Sequence, residues 1–368
     1  MVTGLRAARA TVTVDLAAIA ANCRRLVDAA APAELWAVVK ADGYGHGASA
    51  VGRAALAAGA RRLCVATFEE AVALRRNLPD APLLVMGPLM PGEEHEVEGV
   101  EVAVSSLEAF ERLSATRRPV AVHVKVDTGM GRWGVTAAEA VAIGERLAAA
   151  EGGLRPAGLM SHLAVAESDP EFTAEQLRRF GQLSGRFPAC PRHVANSAAT
   201  LAVPAARFDA VRCGVAVYGL SPFGDDPVAH GLTPALRFET VVTQIKRLAA
   251  GESSGYGRRF TAAQPVWIGL APAGYADGVP RLLSGRMDVL VGGRRRRVVA
   301  TISMDQLTFL IGPECDVAVG DEVVLIGSQG AEQVRAEEWA RLSDTINYEI
   351  VTDIAPRRRR VEHVVRDA

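Results

Sequence analysis

The sequence predicts an α/β protein: an N-terminal (β/α)8 TIM barrel over residues 1–231, followed by a mostly β C-terminal domain over residues 232–368. Three observations carry this expectation. Short apolar runs alternate with stretches of helical periodicity about eight times before residue 231, the pattern of parallel strands joined by crossover helices. After Gly231 the helical stretches nearly vanish, and strand-like runs succeed one another across Gly, Pro and Asp turns. A length of 368 residues also exceeds a single core, since domains usually hold about 100–200 residues and α/β barrels about 250. On pattern alone, a doubly wound open sheet remains the alternative to the barrel.

The elements follow in order. Residues 11–14 are β-branched and extended, and Asp15 then N-caps a helix whose Leu16, Ile19, Cys23 and Leu26 recur at helical spacing. An apolar strand runs from Ala37 to Lys40, and a helix is expected over 48–60. Strands over 63–67, 83–86, 102–104, 120–126, 156–161, 191–195 and 211–218 alternate with helices over 68–76, 106–114, 137–150 and 172–187. In the second part, strands are expected over 238–245, 266–270, 287–291, 298–302, 306–310 and 322–326, with one helix over 331–342.

Composition limits the function classes. Hydrophobic residues make up 49% and charged residues 23%, with a formal net charge of −1, so no global charge points to nucleic acid or to a membrane surface as partner. The basic runs 294–297 and 357–360 read as solvated strand-end charges, with an acidic partner surface as the sharper alternative. Five single cysteines form neither a CxxC pair nor a Cys/His cluster, which argues for reduced thiols in the cytoplasm and against a metal site. The start, MVTGLRAARATVTVDL, lacks the apolar segment of a signal peptide, and no run of 18 apolar residues occurs.

The stretch AVVKADGYGHG at 37–47 holds the first chemistry. A lysine at the end of an apolar strand is costly to desolvate, and burial lowers its pKa from about 10.4. Such an amine is nucleophilic toward carbonyls. A head group snorkelling to solvent is the plainer reading of Lys40. In a barrel the site lies at the carboxyl ends of the strands, where Lys40, Lys125 with Asp127 and Arg132, His162, Asn196-Ser197 and Arg212 with Gly214 all fall. Each has an ordinary reading: a core histidine, a surface arginine paired with Asp127, an N-capping Asn-Ser pair. Taken together, a carbonyl-reactive lysine, two arginines and a glycine-flanked loop after strands seven and eight form one coherent phosphate-type site.

The motifs together resemble those of the alanine racemases, the fold-type III enzymes dependent on pyridoxal 5'-phosphate (PLP). The matching stretches are AVVKADGYGHG at 37–47, HVKVDTGMGRWGV at 123–135, SHLAVAE at 161–167, ANSAA at 195–199 and VRCGVAVYGL at 211–220. They continue with GYGRRFTA at 255–262, GYADGVPR at 274–281, SMDQ at 303–306 and INYEIV at 346–351. They keep the family's order and span nearly the whole chain.

The resemblance implies the following roles. Lys40 carries PLP covalently and moves a proton on one face of the substrate α-carbon, and Tyr256, from the partner subunit of a homodimer, acts on the other face. His162 supports Tyr256, and Arg212 lies behind it and meets the pyridine nitrogen. Arg132 contacts the cofactor's phenolic oxygen and the substrate carboxylate. Tyr44, Asn196, Ser197, Gly214, Val215 and Tyr348 complete the cofactor site. Tyr275, Met304 and Asp305 line the substrate mouth, the last two from the partner. Lys125 occupies a position carbamylated in many relatives, and no metal is implied. The implied activity is interconversion of L- and D-alanine for peptidoglycan, with serine or another small amino acid as the alternative substrate. A non-catalytic PLP carrier lacks a C-terminal β domain and a second-face tyrosine. One departure stands out: relatives commonly carry Gly-Arg where this chain has Ala300-Thr301, which is expected to alter the electrostatics of the substrate entryway or the side-chain preference, with the proton-transfer residues all present. Phe260, where a tyrosine is common, reads as a packing change.

Overall fold

The computed structural model describes residues 9–187, 189–354 and 360–364. The first eight residues of the start read above, and Arg357–Arg359 of the second basic run, lie outside the described residues. Two compact units are present. One is Ala18–Thr233, and the other joins the described residues up to Ala17 with those from Pro234 onward.

Strand β1 (Thr11–Asp15) belongs to the second unit, which corrects the expected domain of residues 1–231 at its start. Its backbone pairs antiparallel with residues 236–239 and parallel with residues 360–364. A five-residue β-branched strand shows that it is a strand, but not which sheet will satisfy its N–H and C=O groups.

In the barrel unit, α1 (Leu16–Ala30) precedes β2 (Glu34–Val38), the short turn α2 (Lys40–Tyr44), α3 (Ala48–Ala57), β3 (Arg62–Val65) and α4 (Phe68–Asn77). Then come β4 (Leu83–Val85), β5 (Glu101–Val104), α5 (Leu107–Ala115), β6 (Ala121–Lys125) and α6 (Ala137–Ala148). The unit closes with β7 (Arg155–Met160), α7 (Pro170–Ser184), β8 (Arg192–His193), α8 (Ser197–Ala202) and β9 (Ala210–Cys213). Strands β2 to β9 form a closed parallel barrel, with Trp36 of β2 opposite Arg212 of β9. Closure excludes the open doubly wound sheet. Capping follows the sequence: Thr67 and Glu70 form a capping box on α4, Thr136 and Glu139 another on α6, and Ser106 and Asp169 cap α5 and α7. The strand expected over 211–218 stops at Cys213, and a 3-10 turn, Val215–Tyr218, follows it.

The second unit holds β10 (Leu236–Val241), β11 (Gln244–Leu248), β12 (Ser253–Ser254), β13 (Phe260–Thr261), β14 (Val266–Ala271) and β15 (Asp288–Val291). It continues with β16 (Arg294–Val299), β17 (Leu307–Gly312), β18 (Glu322–Gln329), β19 (Glu332–Val334), α9 (Ala336–Ser343), α10 (Asn347–Asp353) and β20 (Arg360–Val364). The main sheet runs β11–β14–β17–β16–β15–β18–β10–β1–β20, with β19 on β18. The single strand expected over 238–245 is broken at Val242-Thr243, because β10 pairs with β18 whereas β11 pairs with β14. The helix expected over 331–342 begins as β19, and α10 is a helix that periodicity did not reveal.

The basic run 294–297 opens β16 at its N-terminal end, with Arg294, Arg295 and Arg297 exposed and Arg296 buried. Arg294 and Arg296 pair with Asp316, Arg295 with Glu332 and Glu338, and Arg297 with Asp288. The acidic groups that meet the run belong to this chain. Phe260 packs against Leu248, Ala262, Val266, Ile268 and Val299.

Candidate active site

Period two along a barrel strand decides which side chains reach the interior. On β6 that set is Ala121, His123 and Lys125, of which His123 is fully buried and Lys125 is 6% exposed. The loop after β6 is shaped by Asp127, whose carboxylate accepts hydrogen bonds from the amides of Gly129 (2.8 Å), Met130 (2.9 Å) and Gly131 (2.9 Å). Burial alone raises the Asp127 pKa, but these amides and that of Arg132 outweigh it and hold the carboxyl below its usual range. Gly134 closes the loop at φ 149°, where a Cβ would stand 2.4 Å from the Asp127 nitrogen. Arg132 and Trp133 are thereby presented at the barrel mouth, with the Lys125 amine 5.3 Å from the Trp133 ring centroid.

Lys40 follows β2 and opens a turn in which Ala41, Asp42, Gly43 and Tyr44 all have positive φ. Its amine lies 6.0 Å from the Tyr44 ring centroid. Burial, and then Arg132, lower the Lys40 pKa, opposed by Glu70. Burial, then Arg212, Arg132 and Lys40, lower Lys125 to about 8, opposed by Asp127. His162, just beyond β7, is lowered to about 3 by burial and by the charges of Arg212, Lys125, Arg132 and Lys40. The imidazole is therefore neutral at working pH, and the snorkelling reading of Lys40 gives way to a partly desolvated amine among cations.

Arg212 lies inside the barrel on β9 and donates to the carbonyls of Ser161 (2.6 Å) and His193 (2.6 Å) and to Nδ1 of His193 (2.7 Å). Burial lowers its pKa only to about 10, so it stays charged. Its Nη2 also lies 3.5 Å from His162 Nδ1.

After β8, Asn196 Oδ1 caps α8 by accepting from the Ala199 amide at 2.9 Å, as the ordinary reading of that residue expects. Ser197 Oγ instead accepts from the amides of Gly214 (3.1 Å) and Ala216 (3.4 Å), joining the turns after β8 and β9. Val215 is buried at the start of the 3-10 turn. A Cβ on Gly214 would stand 2.3 Å from the Tyr44 hydroxyl, so only glycine allows Tyr44 to approach this turn. Lys40, Tyr44, Lys125, Arg132, His162, Asn196, Ser197, Arg212, Gly214 and Val215 thus gather at the carboxyl ends of β2, β6, β7, β8 and β9.

Tyr256, Tyr275, Met304, Asp305 and Tyr348 belong to the other unit. Tyr256 begins a 3-10 turn and is 74% exposed beside a cleft of about 510 Å³ that Thr301, Ser303 and Gln306 also line. Tyr275 and Met304 are exposed on adjoining segments, since the Tyr275 amide donates to Ser303 O (3.1 Å) and that of Ala276 to Met304 O (3.0 Å). The Asp305 carbonyl accepts from Arg9 at 2.6 Å, and Tyr348 is half-buried on α10. Thr301 is 8% exposed, and its hydroxyl donates to the carbonyl of Tyr256 at 3.1 Å. Its hydroxyl thereby holds the backbone of Tyr256.

Sequence reasoning missed four residues that belong to this arrangement: His123, His193, Glu101 and Glu70. His123 was legible, because it stands two residues before Lys125 on one strand and must share its face. Among the described residues, no group of three or more His, Cys, Asp or Glu side chains is placed to hold a metal ion. The donor set suits an anionic carbonyl compound instead. Cations at Lys40, Lys125, Arg132 and Arg212 ring the mouth, and the Ser197–Gly214–Tyr44 cradle is too tight for a Cβ, as an approaching phosphate requires.

Comparison with known proteins agrees with this geometry. The family profile described as alanine racemase, N-terminal domain, matches residues 14–222, and that of the C-terminal domain matches residues 235–362. The alanine racemase of Symbiobacterium thermophilum is 44% identical over 94% of this chain and 94% of its own length. The solved alanine racemase of Streptomyces coelicolor A3(2) superimposes with a TM-score of 0.91 at 40% identity, covering 97% of this chain and 98% of that one. The alanine racemase of Bartonella henselae, solved with covalently bound pyridoxal phosphate, gives a TM-score of 0.88 at 30% identity, covering 96% of this chain and 99% of that one. With both domain profiles matched and relatives aligned over almost their full length, this chain belongs to the alanine racemase family of isomerases.

Proposed function

We propose that the chain interconverts L- and D-alanine with PLP as cofactor, through protons moved on opposite faces of the substrate by Lys40 and Tyr256, and so supplies D-alanine for peptidoglycan. The observation that carries this reading is the desolvated Lys40 amine standing among Arg132, Lys125 and Arg212 beside the Ser197–Gly214–Tyr44 cradle. When bound, PLP supplies an electrophilic carbonyl and an electron sink that acidifies the substrate α-carbon.

The chain's own residues do the rest. Tyr44, Ser197, Tyr348 and the amides at Gly214 and Val215 hold the phosphate, and Asn196 completes the cofactor site beside them. Lys40 holds the cofactor covalently and takes or returns the α-proton on one face. Arg132 orients the substrate carboxylate. Arginine has donors only, so Arg212 would meet the pyridine nitrogen as a donor and hold it unprotonated, which would weaken the electron sink and favour return of the proton over side reactions. Racemisation needs a second acid/base on the opposite face, a role we assign to the partner subunit's Tyr256, with His162 as its hydrogen-bond partner. The C-terminal unit of each subunit then completes the other's site, with Tyr275, Met304 and Asp305 at the mouth, so the working form is a homodimer. The Tyr256 side chain, largely exposed on its own unit, fits such a role. A carbamate on Lys125 supplies an anion that orients Arg132. A cytoplasmic setting fits the five free cysteines, and no helix among the described residues is long and apolar enough to cross a membrane.

The second reading, a racemase of serine or another small amino acid, draws on Thr301, which stands where relatives commonly carry arginine. A racemisation assay across a panel of small amino acids separates the two: the alanine reading expects alanine to turn over fastest. PLP loading should give a visible absorbance band that is lost in Lys40→Ala, and a band that persists removes Lys40 from its role. Tyr256→Phe should slow solvent-proton exchange from one enantiomer more than from the other. Equal slowing would count against two bases on two faces.

A further inference from the structure

We propose that Glu70 is a positioning residue for Lys40: its carboxylate ties the turn that carries Lys40 to the turn after the next barrel strand and sets a negative charge beside the amine. This rests on the reading of Lys40 as the cofactor lysine.

The geometry exceeds what a helix cap needs. In a capping box, the N3 carboxylate reaches back to the N-cap amide. Here Glu70 Oε2 does so, accepting from the amides of Thr67 (3.3 Å) and Ala66 (2.8 Å), while Thr67 Oγ1 accepts from the Glu70 amide at 3.2 Å. The second oxygen, Oε1, leaves the α4 cap and accepts from the Ala41 amide at 2.6 Å. Ala41 is the residue after Lys40, so one carboxylate bridges the carboxyl ends of β2 and β3.

That bridge falls where the backbone most needs support. Ala41 (φ 51°, ψ 52°) and Asp42 (φ 49°, ψ 49°) stand in the left-handed region, followed by Gly43 and then Tyr44 (φ 52°). Non-glycine residues resist this conformation, and a run of them persists only when its surroundings fix it. Asp42 supports the far end of the turn by accepting from the Ala48 amide at 2.9 Å, and the Gly43 amide donates to Val39 O at 2.9 Å. Glu70 supports the near end, next to Lys40. A charge-assisted bond to a backbone N–H is among the stronger kinds.

The charge acts as well. The groups facing the Lys40 amine are Arg132 from the loop after β6, Lys125 from β6, His162 from beyond β7, the Tyr44 ring and Glu70 from α4. Arg132 and burial push the amine toward neutrality, and Glu70 opposes them. Glu70 therefore opposes the fall in the pKa while its hydrogen bonds fix the backbone turn that carries Lys40.

The test uses the full chain, with PLP removed and then added back, and follows the rate of band formation across pH together with PLP loss from the loaded protein. PLP's own ionisations are common to all variants, so a shift between variants reports on the chain. Glu70→Gln removes the charge and leaves only one acceptor oxygen. It should move the midpoint of loading down by about one pH unit and speed PLP loss about tenfold. Glu70→Asp keeps the charge on a shorter arm. It should leave the midpoint near that of the unsubstituted chain yet still speed PLP loss, and it serves if Glu70→Gln fails to fold. Thr67→Ala weakens the α4 cap without touching the carboxylate, and should leave both readouts unchanged. The inference is overturned if Thr67→Ala reproduces the Glu70→Gln effects, which reduces Glu70 to a helix cap. It is equally overturned if Glu70→Gln or Glu70→Asp retains PLP as the unsubstituted chain does. Unaltered loading of Lys40→Ala is a different result, and would remove the reading of Lys40 itself.

Discussion

Nη1 of Arg212 lies 2.7 Å from Nδ1 of His193, and this one contact sets the direction of a buried chain of hydrogen bonds. Arginine only donates, so Nδ1 accepts and Nε2 of His193 carries the hydrogen. That hydrogen points at Nδ1 of His123, 2.9 Å away, which leaves Nε2 of His123 to donate to Glu101 at 2.7 Å. Glu101 is held in turn by Arg62 at 3.0 Å, and the Arg62 guanidinium lies 4.2 Å from the Trp36 ring centroid. Burial first, and then neighbouring arginines, push both histidine pKa values down, that of His123 against Glu101, as two neutral rings in a fixed tautomer require.

His193→Leu breaks this chain in the middle and leaves a buried guanidinium short of an acceptor. A destabilisation of about 3 kcal/mol is expected from urea unfolding. His193→Asn, which keeps an acceptor, should lose less.

Gly214→Ala should spare the fold but displace Tyr44, because the new methyl falls 2.3 Å from the tyrosine hydroxyl. PLP affinity, measured by fluorescence titration, should weaken about tenfold or more, equivalent to at least about 1.4 kcal/mol. Tyr44→Phe removes the closest clashing atom and leaves the ring carbon Cζ at 2.9 Å, so the further loss caused by Gly214→Ala should be smaller, though not abolished, in that background.

Lys125 makes stability depend on pH in a defined window. Its pKa in the folded chain is about 8, below the ordinary value of 10.5. Between those values the unfolded chain binds more protons, so stability from this group rises with pH there, and the cost of burying the charge is felt in full below pH 8. Denaturant unfolding at pH 7.5 and pH 10 should show a gain of about 2 kcal/mol that Lys125→Met lacks. The neutral amine is also the form that adds carbon dioxide. A carbamate carbon signal after loading with labelled bicarbonate should therefore be present in the unsubstituted chain and absent in Lys125→Met.

Thr301 holds the backbone of Tyr256 through a 3.1 Å hydrogen bond. Thr301→Val keeps the shape and loses the donor, so kcat should fall several-fold, a loss of about 1 kcal/mol, with the larger effect in the direction in which the proposed scheme has Tyr256 take the α-proton. Thr301→Ser should behave as the unsubstituted chain. Gly255→Ala should be worse than either. Its φ is 73°, and the added Cβ would stand 2.8 Å from that of Ala300, itself at φ 61°.

Much of the site was legible because barrel chemistry sits at strand ends, and strand ends are marked in sequence by where an apolar run stops. Lys40, Lys125, His162, Ser197, Arg212 and Gly214 all announce themselves in that way. Glu70 did not, since its first oxygen completes an ordinary capping box and only the fold shows where the second one goes. His193 was equally hidden: a histidine in a two-residue strand gains its meaning from Arg212, which follows 19 positions later on the neighbouring strand.

By itself the sequence determined the alternation of strands and helices, the β domain and the identity of the chemical groups, because periodicity and capping are local and a residue's chemistry travels with its name; closure of the barrel, which joins β2 to β9, it left open. The tertiary structure decided what depends on pairing between distant segments. It assigned β1 to the C-terminal sheet, turned the 294–297 run into a strand of internal ion pairs, and buried Thr301 against the Tyr256 backbone. It also set the electrostatics of Lys40 and Lys125, since a lysine's pKa is fixed by which charges and how much solvent surround it, and those neighbours come from segments far apart in the chain: the turn after β2, helix α4, the loop after β6 and strand β9.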